Sequence, residues 1–395
     1  MEESRTHREK GRPDAQFEIH VSDVRTYKSC RRRWDWSSPL RGNLEPNFTP
    51  SHFFIGRAVH YAAASFLENG TLPTEACAEF LALERPKAGA LWPDEQAKWD
   101  ASAAMASTIS STFYDWAKGP GQLLTKWRTL ATEMSFRTPL YNEKGQKSPR
   151  VHFAGRVDGL FVDEDGELWL REYKTTTRSP NGNWLTLDTQ AAMYCWAMQE
   201  VMGKPVAGVH YIFLHKKMPA KPQRLKNGGL SRAINSSLNT THALYLEAIE
   251  ELAMELTTQA LSPGGAATVA IESEAWETAF QITMERLVDE YQEVLTQLLE
   301  RGYDEYITEL KVRKTAAELA SASRELYMTA LEMTRPTTRI YASEDWLKCD
   351  FCAFRDPCIA KNRGQNYQAI LNASYRPRTN DPIVEGAVEI TNEVL

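Results

Sequence analysis

A hairpin in the middle of the chain constrains its fold more than any other segment. Two strand-like runs, Val151–Val162 and Leu168–Lys174, flank Asp163-Glu164-Asp165-Gly166, a strong turn signal. Side chains alternate along a strand, so Glu172 and Lys174 point to one face, shared with Leu168 and Leu170. That face passes from apolar core to polar site. Asp158, in Gly155-Arg156-Val157-Asp158-Gly159, lies on the paired strand where it can sit beside Glu172. A helix is expected from about Leu187 to Val201, and Gln190 and Tyr194, four apart, share one of its faces.

Adjacent carboxylates repel, and burying them together is costly. A hard divalent cation, Mg²⁺ or Mn²⁺, relieves that cost with oxygen ligands and retained waters. Such an ion lowers the pKa of a water and neutralises a phosphate. A Lys two residues past the second carboxylate brings an ammonium to the attacking water or the developing charge. The plainer reading of the same residues is a solvated hairpin pair with Lys174 as a surface cation.

The rest of the chain is organised around this core. Residues 1–16 read as a polar tail, and 17–130 as a helical region with helices near Ser22–Trp36, Phe54–Leu67 and 95–118. Strands are expected at Thr132–Leu140 and Ala207–His215, placing the α/β core at 131–215. A basic loop, 216–240, follows, then largely helical stretches at 241–261 and roughly 271–333 within a region running to 340. A cysteine cluster occupies 341–370, and 371–395 reads as a tail.

With 42% hydrophobic residues the chain can bury a sizeable core, and with 25% charged residues it is not a disordered protein. The net charge of −6 neither supports nor excludes DNA as a partner, because a local basic groove binds phosphates whatever the total. No apolar leader and no run of about 18 apolar residues is present, so a soluble, cytoplasmic protein without a membrane span is expected. In that setting six cysteines point to metal binding or burial rather than disulfides. Cys349, Cys352 and Cys358 form a Cys-x-x-Cys-x5-Cys run, with Cys30 the natural fourth member. Cys77 and Cys195 read as small buried hydrophobes. Zinc and iron–sulfur chemistry both take thiolates, so local chemistry leaves the two open.

The order Gly155-x-x-Asp158, Glu172-x-Lys174, Gln190-x-x-x-Tyr194 resembles the PD-(D/E)XK nuclease superfamily, and within it the RecB-like group. The upstream Gly-x-x-x-His of that group has its counterpart in Gly56-Arg57-Ala58-Val59-His60. The resemblance implies a restriction-endonuclease-like core, a mixed sheet flanked by helices, with helical additions. It implies that His60, Asp158, Glu172 and the Tyr173 carbonyl hold the metal. Lys174 is then the catalytic lysine, and Gln190 and Tyr194 position DNA or support Lys174. Glu133 reads as an outer support to the metal site or as simply exposed. One early cysteine and a late Cys-x-x-Cys-x5-Cys around such a core are similar to AddB-type nucleases and CRISPR-associated RecB-like exonucleases. That likeness implies a [4Fe-4S] cluster on Cys30, Cys349, Cys352 and Cys358, stapling the two ends together, with zinc as the runner-up.

Arg31, Arg32 and Arg33 beside Trp34 and Trp36 suit single-strand binding, or form a solvated helix with its Trp in the core. The loop holding Lys226 and Arg232, similar to one in phage-encoded members, either grips a strand or is exposed. The expected activity is metal-dependent exonuclease cleavage of single-stranded or end-processed DNA in recombination, repair or phage DNA metabolism. The alternative is a non-catalytic or partner-dependent subunit of a helicase–nuclease or CRISPR-adaptation complex. No phosphate-binding Gly-x-x-x-x-Gly-Lys-Ser/Thr loop is present, so any unwinding must come from another protein, with a helicase, recombinase or single-strand-binding protein as the expected partners.

Overall fold

The computed structural model describes residues 16–47, 51–119, 126–178, 182–233, 239–261 and 274–378. The expected tail therefore lies outside the described residues at 1–15 and 379–395. The segment 371–378 does not fit a tail. It holds the end of a helix and a strand, and Leu371 is buried.

The first part of the chain forms β1 (Phe17–Ile19), α1 (Val21–Ser29), α2 (Arg31–Ser37), β2 (Leu44–Pro46), α3 (Ser51–Asn69), α4 (Pro73–Glu84) and α5 (Pro93–Ala117). The helix expected at Ser22–Trp36 breaks at Cys30, whose extended backbone ends α1 and opens α2. Then come β3 (Arg128–Tyr141), β4 (Lys147–Val162), β5 (Leu168–Thr176), α6 (Gly182–Thr186), α7 (Thr189–Met202) and β6 (Val206–His215). The hairpin and its returning strand stand where the alternation puts them.

β4 organises the mixed sheet, ordered β1-β4-β5-β6, with β3 antiparallel along the other edge of β4. β1 runs parallel to Val151–Phe153, whereas β5 pairs only with Gly159–Val162. Between those two ladders, residues 154–158 of β4 have no strand beside them on that edge. Asp158 sits at the end of this gap.

Helices cover both faces, as a sheet with two apolar faces requires. On one face Phe54, Ala58, Ala62 and Phe113 of α3 and α5 pack on Tyr173, Ile212 and Leu214. On the other, α7 packs on Leu168, Leu170, Tyr211 and Phe213.

The largely helical stretch expected from about 271 to 333 is interrupted. It contains α9 (Glu274–Glu290), α10 (Gln292–Arg301), a strand β7 (Ile307–Arg313) and α11 (Ala316–Thr334), with α8 (His242–Leu261) before it. β7 pairs antiparallel with β6 and completes the sheet. Its alternation, Thr308, Leu310 and Val312 against Glu309, Lys311 and Arg313, is short and lies between helical patterns that mask it. Leu326 of α11 is wholly buried against the α7 layer. Leu326→Ala should cost about 3 kcal/mol in a urea unfolding curve, whereas a loss under about 1 kcal/mol would mean that α11 packs loosely.

The insertion between β6 and β7 carries its own core of Leu230, Tyr245, Ile249, Tyr291 and Leu298. Its basic loop is tied down: Lys217 pairs with Glu305, Lys221 with Glu247 and Glu251, Arg224 with Glu255, and Arg232 with Glu290. The chain then closes on its own beginning. After α12 (Trp346–Asp350), α13 (Arg355–Asn362) and α14 (Tyr367–Ser374), β8 (Tyr375–Pro377) pairs with β2, and Phe354 and Leu371 pack on Trp36. Among the described residues, no helix is long and apolar enough to cross a membrane.

Candidate active site

His60 projects from α3 toward the gap beside β4. Ala58, Ala62 and Ala63 are fully buried, so small side chains let α3 approach the sheet closely. Gly56, one turn before His60, meets β5: a Cβ there would stand 3.5 Å from Thr175 Oγ1. The His60 ring lies over Tyr173, 6.0 Å between centroids, and its Nδ1 is 3.4 Å from Asp158 Oδ1.

Asp158 takes over where the β4–β5 ladder stops. The pairing ends at Gly159 and Arg171, and the next amide, Tyr173 N–H, donates to Asp158 Oδ2 at 2.8 Å. The carboxylate thus satisfies a backbone donor that the splayed strands leave open. Glu133 of β3 stands across from Asp158, because Thr132 faces Gly159 and Met134 faces Val157. Its φ of +45° is left-handed, a conformation that costs a non-glycine residue about 1 kcal/mol or more. Arg156 Nε holds the Glu133 carboxylate at 2.8 Å. His60, Glu133 and Asp158 each offer a ligand atom within 4.8 Å of the others.

Glu172 is placed beside this trio and not within it. Its Oε1 accepts from the Lys174 ammonium and, at 3.3 Å, from Gln190 Nε2. Gln190 lies in the first turn of α7, whose N-cap is Asp188, and Gln190 Oε1 accepts from Arg25 Nη1 of α1 at 2.9 Å. Tyr194, one turn on, packs its ring against Phe136 and Phe153 at 5.5 and 6.1 Å. Gly155 makes room for it: a Cβ there would come within 3.3 Å of the Tyr194 ring and 2.8 Å of Phe136.

The charges are strongly coupled. Burial works against the His60 imidazolium, yet the Asp158 carboxylate outweighs it and, helped by Glu133 and Glu172, lifts His60 to about 9. Burial raises Asp158, but the facing His60 and the Tyr173 amide bring it below the usual carboxylate value. Glu133 and Glu172 both rise to about 7, first from burial and then from repulsion by Asp158. Burial opposes the Lys174 charge, and the Glu172 carboxylate raises its pKa nonetheless. Three carboxylates and one imidazole crowded this way are short of positive charge. The donor set therefore fits a hard divalent ion, which would replace protons on these groups.

A stability test follows from Glu133. Its folded pKa is raised, so in the metal-free protein the part of stability that Glu133 contributes is full below about 4.5 and is lost as pH climbs through about 7. With EDTA at pH 8, Glu133→Gln should raise stability by on the order of 1–3 kcal/mol, from 1.36 kcal/mol per pKa unit, and the gain should vanish near pH 4. Thermal melts at the two pH values measure it; an equal effect at both would remove the electrostatic account.

The other proposed site residues separate into groups. Cys30, Cys349, Cys352 and Cys358 line one cavity of about 430 Å³. Arg32 Nη1 donates to Cys358 Sγ at 3.2 Å and the Phe354 amide to Cys352 Sγ at 3.4 Å. Among the described residues, no three of these sulfurs lie within 4.8 Å of one another, whereas a tetrahedral zinc with bonds of about 2.3 Å sets its sulfurs roughly 3.8 Å apart. Cys77 and Cys195 are buried in α4 and α7, and burial pushes Cys195 up to about 12. Arg31 pairs with Glu332 at 2.9 Å and stacks on Tyr27 and Tyr341. Trp34 and Trp36 are buried, while Arg33 and Lys226 are exposed.

Sequence reasoning gave Glu133 little weight and passed over Arg25. The β3 register against β4 would have singled out Glu133, but that register is set by pairing across the sheet. Nothing local marks Arg25.

Residues 18–359 match a family model described as the PD-(D/E)XK nuclease superfamily. No curated protein matches the chain. Among solved structures, one described as "Crystal structure of SSO0001" is 13% identical, covering 90% of this chain and 92% of that one, with a TM-score of 0.31.

Proposed function

The chain belongs to the PD-(D/E)XK nuclease superfamily, and on that premise we propose that it is a RecB-like exonuclease acting on single-stranded or end-processed DNA. One observation carries the reading: a carboxylate cluster, a paired lysine and a Gln–Arg contact converge at the open edge of β4. The exonuclease part draws on the motif order from His60 to Tyr194.

His60, Glu133 and Asp158, with Glu172 and the Tyr173 carbonyl beside them, would hold Mg²⁺ or Mn²⁺. The chemistry the ion supplies when bound is neutralisation of the scissile phosphate and a lowered pKa for a water. The chain does the rest. Lys174, kept charged by Glu172, offers its ammonium to charge developing on the phosphate. Gln190 bridges Glu172 and Arg25, which links an exposed cation to the metal-side carboxylate. Tyr194, clamped between Phe136 and Phe153, fixes α7 over β4.

The four-cysteine cavity would hold a [4Fe-4S] cluster. What supports a cluster is that all four thiols line one cavity, in the early-and-late cysteine order that resembles iron–sulfur nucleases. On the same resemblance, the setting we propose is DNA recombination, repair or phage DNA metabolism, alongside a helicase, a recombinase or a single-strand-binding protein.

The test is cleavage of end-labelled single-stranded DNA by protein purified without oxygen. Mg²⁺ or Mn²⁺ should support cleavage, EDTA and Glu172→Gln should abolish it, and the product ladder should report polarity. Circular single strands should survive. Their degradation would sink the exonuclease reading, and no cleavage of any DNA would sink the nuclease.

A further inference from the structure

The substrate reading leaves open where the strand runs beyond the metal site, and the cations of α1 and α2 divide unevenly on this point. Lys28 pairs with Glu325 and Arg31 with Glu332, while Arg32 is committed to Cys358 and Asn362. Two cations remain. Among the described residues, Arg25 is exposed with its one side-chain hydrogen bond to Gln190 Oε1, and Arg33 is exposed with no acidic partner.

These two stand at opposite ends of one path. Arg25 lies beside Gln190 and Glu172 at the metal site. From Arg25 the chain needs five residues, roughly 7 Å of helix, to reach Cys30 at the cysteine cavity. Arg33 is on the wall of that cavity, and so is Trp346, which is 79% exposed. Phe351, on the loop just after α12, is 85% exposed. Two bare aromatics so close in sequence leave apolar surface open near this rim. Free cations with bare aromatics are what a single strand needs, phosphates on the first and bases on the second.

Acids are present too: Asp345 faces Lys348 at 3.5 Å, and Asp350 and Asp356 face Arg355 at 3.5 and 3.6 Å. They pair with those two cations, while Glu344 is exposed on the same cavity wall and Arg33 stands close enough to Cys352 to offset part of the effect of burial on its thiol. The helical insertion, by contrast, exposes Glu250, Glu274, Glu277, Glu285, Asp289 and Glu293. A polyanion is repelled there and admitted along α1.

We infer that single-stranded DNA runs from the metal site along α1 to the rim of the cysteine cavity, with Arg25 and Arg33 on phosphates and Trp346 stacked on a base. This rests on the single-strand nuclease reading, and its test separates the two. Fluorescein-labelled oligothymidylates, short and long, are titrated in EDTA with wild type, Arg33→Ala, Trp346→Ala and Trp346→Phe. Melting curves and iron content confirm that the variants are folded. Trp346→Ala should bind the long oligomer about tenfold more weakly, within the range for loss of one stacked base. Its defect should shrink as the oligomer shortens, and Trp346→Phe should restore most of the affinity. Arg33→Ala should lower the salt slope by about 0.7, the value for one single-strand phosphate contact. Wild type that binds no single strand overturns the substrate reading and this path with it. Wild type that binds, with folded variants that match it at every length and salt, overturns the path alone. So does a Trp346→Ala variant that binds DNA normally yet fails to self-associate where wild type does, because that outcome makes the patch an interface between copies.

Discussion

Lys174→Ala should slow hydrolysis by about a thousandfold, about 4 kcal/mol of transition-state stabilisation, while changing DNA affinity little. The magnitude follows from the surroundings. The Lys174 ammonium is held against Glu172, and its raised pKa keeps it charged through the physiological range. It is thus a fixed charge already in place when negative charge builds on the phosphate, and water cannot substitute for it at equal cost. Ground-state binding draws on other cations, so single-turnover rate and dissociation constant should separate. Removing the ammonium also strips Glu172 of its nearest counter-charge. The carboxyl should then hold its proton to higher pH, and the rise of the variant's residual activity should be displaced to higher pH than that of wild type. A variant that cuts at the wild-type rate would return Lys174 to the status of a surface cation.

Cys30→Ser should release iron and sulfide and lower stability by several kcal/mol, with folding-coupled metal sites worth roughly 10 kcal/mol as the upper scale. Closing a loop from Cys30 to Cys349 costs the unfolded chain entropy that the bound cluster would hold against. The effect should fall short of the upper scale because the ends also meet through protein contacts. β2 pairs with β8, Trp36 packs on Phe354 and Leu371, and Arg32 bonds Asn362 at 2.6 Å. Elemental analysis and denaturant melts of protein purified without oxygen check both halves. Zinc at one ion per chain in place of iron would overturn the cluster, and full iron content in Cys30→Ser would remove Cys30 from the ligand set.

The two changes act at different places. Lys174 is paired with Glu172 inside the metal site, so its loss acts on the chemistry there and leaves a buried carboxyl without its partner. Cys30 lies at the other end of α1, and its loss should act on activity through the position of α1 and of Arg25.

Local periodicity by itself determined the hairpin, the strands around it and the helix carrying Gln190 and Tyr194. Turn residues and alternation act between neighbours in the chain, so Asp158, Glu172 and Lys174 were legible before any fold was known. The same reading lost β7, whose seven residues lie between longer helical patterns. It also ran the tail too early, because the pairing that orders Tyr375–Pro377 is with Leu44–Pro46 at the other end of the chain. Only the tertiary structure decided that Glu133 joins His60 and Asp158, that Arg25 reaches Gln190, and that Arg232 is bound to Glu290. Each of those meetings joins residues far apart in sequence. Sheet register and helix packing set them, and no local propensity encodes either one.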